Sequence, residues 1–225
     1  MERTWLPEAE TRLTLLYCLR ALGPVTGEQL ERYLLTNGLV NYFDLRLNLS
    51  ALVDLGQIDR QEHPAGVLLV PTPAGIRALD SFTGRIPASR REGIDCSAPE
   101  WQARFQREQE TPAGLLRRES GTQMLHLQLL EDGRTLAELT LPWEGACPRE
   151  QWHRAAPGIW RLLLERLTPE DGDTGPGTVP ARLTHGDFTL ILDPGSEDLA
   201  GRAGRRWPKE AEALELEIRR RLAEA

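Results

Sequence analysis

The sequence predicts an α+β chain, helical over its first third and turning to antiparallel strands near its middle. Three observations carry that expectation. Apolar residues recur every three to four positions from residue 8 to residue 55, between recognisable helix caps. Two short strand-like runs with a Pro-Gly loop between them follow directly, at 57–61 and 67–70. After Pro112 the period shortens to two, with Ser120-Gly121 and Asp132-Gly133 at the turns. Helix, turn, helix, hairpin is the order of a winged helix-turn-helix, so residues 1–84 form such a module. A small antiparallel β-meander plus helix domain follows it.

The first helix spans 8–22, where Leu13, Leu15, Leu16, Leu19 and Leu22 share a face. Gly23-Pro24 stops it, because Gly suits the cap and Pro cannot continue the ladder. Thr26 with Gln29 three residues on makes a capping box for a second helix that buries Leu30, Tyr33 and Leu34. Asn41 caps a third helix running to about residue 55, and Gly56 closes it. Residues 62–66 form the tip of the hairpin. Thr72-Pro73 opens a fourth helix that carries Ile76, Leu79 and Phe82.

Residues 85–110 read as a connector or dimerisation helix, helical over 89–109 with Ile94, Trp101 and Phe105 as apolar anchors. Residues 111–168 make the sheet domain, with strands at 115–119, 124–130 and 136–141 and a helix at 151–167. Residues 169–225 comprise a Gly- and Pro-rich flexible loop, a strand at 188–192 and a C-terminal helix from Pro208 onward. Whether that strand and helix belong to the sheet is open from sequence.

Composition bounds the function. No apolar run in the 225 residues approaches the ~20 needed to span a bilayer, and the N-terminus has no signal-peptide core. Three widely spaced cysteines imply no disulfide framework, which fits a reducing cytoplasm. Of 27 basic residues 26 are Arg, a bias expected of GC-rich codons and not of selection for phosphate. The net charge of −7 argues against an extended nonspecific nucleic-acid surface but leaves local contact with double-stranded DNA open.

The third helix is where DNA contact is expected. Leu45, Leu49, Leu52 and Val53 pack inward, while Tyr42, Asp44, Arg46, Leu47, Ser50 and Asp54 face out. Arg46 suits a guanine edge or a phosphate; Asn41, Tyr42 and Ser50 suit phosphates; Leu47 suits a thymine methyl. On the hairpin Arg60 and His63 are the basic candidates, flanked by Asp59 and Glu62. Seven Arg against ten acidic residues in 1–84 leave the module mildly acidic, so a dimer is expected to double the contacts. No catalytic or cofactor motif is present. Cys147 and His153 lack partners for a metal, and His185-Gly186-Asp187 reads as either an acid–base pair or a turn. Five tryptophans after residue 100 suit a core more than a ligand pocket.

Asn37, Asn41, Tyr42 and Phe43, then Thr72, Gly75, Leu79, Phe82, Ile86 and Pro87, form two spaced motifs. Through them the chain resembles a bacterial family catalogued as domain of unknown function 4364, over roughly three-quarters of its length. The resemblance implies similarity to winged-helix repressors and brings no established activity. Asp44 and Leu47 depart from the polar, uncharged residues expected there. Two main readings therefore stand: a homodimeric DNA-binding transcriptional regulator, or a protein-interaction adaptor on a winged helix that does not bind DNA. A small-molecule effector would make the second half a sensing domain.

Overall fold

The computed structural model describes residues 8–168, 181–193 and 197–225. The chain divides into two compact units, Met1–Gln106 and Arg107–Ala225. It is α+β, with antiparallel sheets in both units.

The first unit runs α1 (Glu8–Leu22), β1 (Val25–Thr26), α2 (Gly27–Thr36), α3 (Tyr42–Asp54), β2 (Ile58–Gln61), β3 (Leu68–Pro71) and α4 (Pro73–Phe82). A 3-10 turn, Thr83–Arg85, then leads to α5 (Ala88–Glu110). The caps fall where local chemistry puts them. Thr26 accepts from the Gln29 amide while Gln29 reaches back to Thr26, Asn41 caps α3, and Thr72 accepts from Gly75 ahead of Pro73. β1 is an addition to the expected elements. It pairs with β3, Val25 opposite Leu69, giving a three-stranded sheet of order β1-β3-β2. Two residues are too few to show alternation, so nothing in the sequence announces it.

α1 is the central post of this unit, buried at every position from Leu13 to Leu19 and touched by α3, α4 and β3. Cys18 lies on it with no exposure, and burial pushes its thiol pKa well above the ordinary range. Cys96, on α5, is exposed. At pH 8 a maleimide should therefore label Cys96 in the native protein and Cys18 only after denaturant, as read by peptide mass spectrometry. Equal native rates would contradict this core.

The helix expected as a connector or dimerisation arm packs on the first unit. Ile94, Ala98 and Phe105 of α5 belong to the core of the first unit. Tyr17 donates to both Asp95 carboxylate oxygens at 2.9 and 2.8 Å, the Tyr33 and Ser97 hydroxyls bond at 2.8 Å, and Arg90 pairs with Glu10 at 2.7 Å. Burial first, and Asp95 second, raises the pKa of Tyr17. The anchors visible in sequence were real, and they are used within the unit.

The second unit contains β4 (Ala113–Arg117), β5 (Gln123–Glu131), β6 (Arg134–Pro142), α6 (Arg149–Leu167), β7 (Ala181–His185), β8 (Phe188–Leu192) and α7 (Glu197–Glu224). The meander is present, and the hairpin between β5 and β6 turns on Asp132 and Gly133, both at positive φ (49° and 76°). Two further strands extend it to five, in the order β4-β5-β6-β8-β7. β8 pairs with β6, Leu139 opposite Leu190, and α7 packs on α6 and β7, so residues 181–193 and 197–225 are part of this domain and not an appendage. The loop expected at 169–180 lies outside the described residues. Alternation puts Leu125, Leu127, Leu139, Leu141, Leu190 and Leu192 on one face, where α6 and α7 cover them. α7 begins at Glu197 and continues through Pro208. Leu199, Ala203 and Trp207 are all buried ahead of that Pro, so packing keeps the chain helical where the Pro reads as a start.

Candidate nucleic-acid interface

α3 is held by its inner face. Leu45 and Leu52 are buried and Leu49 and Val53 partly so, as the spacing predicts. Asn48 is buried beside them, donating to the Asp44 carbonyl at 2.9 Å and accepting from Arg12 of α1 at 3.1 Å. That polar tie to α1 is invisible in sequence, because Asn48 reads as a surface residue. It fixes the rotation of α3, and with it which side chains look outward.

The outward side chains divide into two kinds. Asn41 is committed to the helix: its Oδ1 accepts from the Asp44 amide at 2.9 Å and its Nδ2 donates to the Asp44 carboxylate at 2.6 Å. Arg46, the one basic residue of α3, pairs with Glu31 of α2 at 3.0 Å and lies 5.2 Å from the Tyr42 ring centre. Hydrogen bonding to Tyr42 first, then charge including that of Glu31, raises its pKa. The expected base-reader is thus occupied inside its own module. Phe43 and Leu47, one turn apart, are 81% and 61% exposed, and Tyr42 is 44% exposed with its ring edge-on to Phe43. Ser50 continues the same row and is exposed.

On the hairpin, Arg60 is exposed on β2, next to α3's C-terminal end in the chain. His63 is turned inward to its loop: its Nδ1 accepts from the Ala65 amide at 3.1 Å and its carbonyl accepts from Gly66 at 2.8 Å. In that state it shapes the hairpin tip and its Nδ1 is not available to a phosphate. Of the seven residues predicted from sequence, Tyr42, Arg46, Leu47 and Ser50 come together on one helix surface, with Asn41 as its cap and Arg60 and His63 on the hairpin. Phe43 and Glu31 were missed. Phe43 was legible, since it stands four residues before Leu47 on the row. Glu31 was not, since its place opposite Arg46 depends on how α2 docks on α3.

A family model for a domain of unknown function, DUF4364, matches residues 11–167. The chain belongs to that family. No curated protein and no solved structure matches it. The DUF4364 stretch runs from within α1 to the end of α6 at Leu167, short of β7, β8 and α7.

The remaining candidates in this DUF4364 chain resolve into structure. His185 ends β7 opposite Phe188, Gly186 and Asp187 form the turn to β8, and Asp187 pairs with Arg118. The His153 Nδ1 and the Thr111 hydroxyl lie 2.6 Å apart, and Cys147 packs partly buried against the core. Among the described residues no group of three His, Cys, Asp or Glu converges as a metal site, and no helix is long and apolar enough to cross a membrane. Trp152 and Trp207 are buried in the second core, and Trp152 donates to the Gln128 carbonyl at 3.1 Å. Trp101 belongs to the first unit, edge-on to Tyr33. An open groove of about 480 Å³ between α2 and α5 is lined by Tyr33, Asn37, Leu39, Ser89, Arg90 and Ser97.

Proposed function

We propose that this DUF4364 protein is a cytoplasmic, homodimeric transcriptional regulator whose first unit works as a winged helix-turn-helix, with α3 in the DNA major groove. The observation that supports it is the open face of α3. Tyr42, Phe43, Arg46, Leu47 and Ser50 face solvent on the second helix of a helix-turn-helix, with a hairpin directly following. Arg46 reaches DNA only by leaving Glu31. Arg46 is exposed in that pair, where solvent screens the attraction, so one phosphate contact can replace it.

Glu31→Gln tests this directly. Removing the carboxylate releases Arg46 and deletes a negative charge beside it, so duplex affinity should rise by about three- to tenfold. The slope of log K against log salt should steepen by about one contact's worth. Fluorescence anisotropy across a salt series on duplexes selected from random DNA reads both quantities. Absence of any enriched duplex at low salt would reject the proposal.

The exposed Phe43 and Leu47 favour a second reading, an adaptor that docks a protein on the same face. Under that reading Glu31→Gln leaves DNA binding absent.

A further inference from the structure

Within the DNA-binding reading above, on which it rests, we infer that α3 recognises thymine C5-methyl groups through Phe43 and Leu47. The operator class is then one with thymines facing the first two turns of α3, and guanine reading by Arg46 has no part in its specificity.

Phe43, Leu47, Ser50 and Asp54 form a row, spaced four, three and four along α3 and so on one side of the helix. Its apolar members occupy the N-terminal half, the half of a recognition helix that meets base edges. Asp54 stands at the far end, where its charge is kept from the groove floor. The flanking polar groups are already engaged: Asn41 with Asp44, and Arg46 with Glu31 and Tyr42. The most exposed large apolar side chains of α3 are these two, 81% and 61% exposed. Every major-groove base edge offers polar donors and acceptors, and the one apolar group there is the thymine methyl. A protein groove is the weaker match. A stable protein interface takes about 800 Å² from each partner around an apolar centre. Of the other exposed large apolar residues of this unit, Tyr42 adjoins Phe43, while Leu35, Leu55 and Phe82 lie on α2, at the α3 C-cap and on α4, outside the row on α3.

The test uses the full chain and random duplex DNA selected at low salt. Recovered sites should carry thymines at fixed positions, and replacing each by deoxyuridine, which lacks only the methyl, should weaken binding about fourfold per methyl. Phe43→Ala and Leu47→Ala alter exposed side chains, so the protein should stay folded, and each should erase the thymine–deoxyuridine difference at its own position. Enriched DNA that is indifferent to deoxyuridine, or that depends on guanine and Arg46, overturns this inference and leaves the DNA-binding reading standing. No enriched DNA overturns both and assigns the Phe43–Leu47 row to a protein partner.

Discussion

Gly75→Ala should unfold the first unit at a temperature at least 10 °C below the wild type. Gly75 lies in the first turn of α4, where a Cβ would overlap the Gln57 carbonyl oxygen and sit 3.1 Å from Cδ2 of Leu16. Neither neighbour has room to yield. The Gln57 carbonyl already accepts from the Thr72 amide at 3.0 Å, and the Thr72 hydroxyl donates to the Gly56 carbonyl at 2.7 Å. Leu16 is 1% exposed at the centre of the core. The backbone corner between α3 and β2 therefore docks on α4 at the one residue without a side chain. Overpacking a core costs about 1–3 kcal/mol when side chains can adjust, and more when backbone must move. For a unit of this size about 3 kcal/mol lowers the midpoint by ~12–24 °C.

Gly93→Ala is the matched control, an interior position of α5 where a Cβ meets nothing within 4 Å. There the exchange should stabilise by up to about 1 kcal/mol through helix propensity. Hydrogen exchange on α1 peptides during a temperature series separates this unit from the other. Wild-type protection of α1 in the Gly75→Ala protein would refute the close approach.

What sequence could anticipate divides along the range of the interactions. The capping box at Thr26 and Gln29, the Asn41 cap and the Thr72-Pro73 helix start are contacts within four residues, and each was legible. So was the Asp132-Gly133 turn. β1 was not, because Val25 becomes a strand only by pairing with Leu69, 44 positions away. α5 showed its apolar anchors but not their destination, which is set by the Tyr17–Asp95 and Glu10–Arg90 contacts. The same division runs through the candidate interface. The row on α3 follows from helical period alone, while the Glu31 carboxylate that occupies Arg46 comes from a neighbouring helix. Charge counting located the conflict on α3; the ion pair gave it a geometry.

A chain ending at Thr168 should keep its first unit and lose its second. The family match ends at Leu167, which suggests a natural place to cut, yet the packing says otherwise. Among the described residues the second core has 22 buried side chains, and ten of them come after that point, including Phe188, Leu190, Leu192, Trp207 and Ile218. β8 also satisfies one edge of β6, and α7 lies against α6 and β7. Cutting there uncovers the inner face of β5 and β6 and turns β6 into an open, apolar edge, a template for aggregation. Each large apolar side chain left uncovered forgoes about 1.5–3 kcal/mol, against a typical whole-domain stability of about 5–15 kcal/mol. Hydrogen exchange should therefore show β5 and α6 peptides of the truncated chain exchanging at unprotected rates, with α1 peptides still protected. Retained protection in β5 and α6 would mean that the matched stretch folds by itself and that the last two strands and α7 only decorate it.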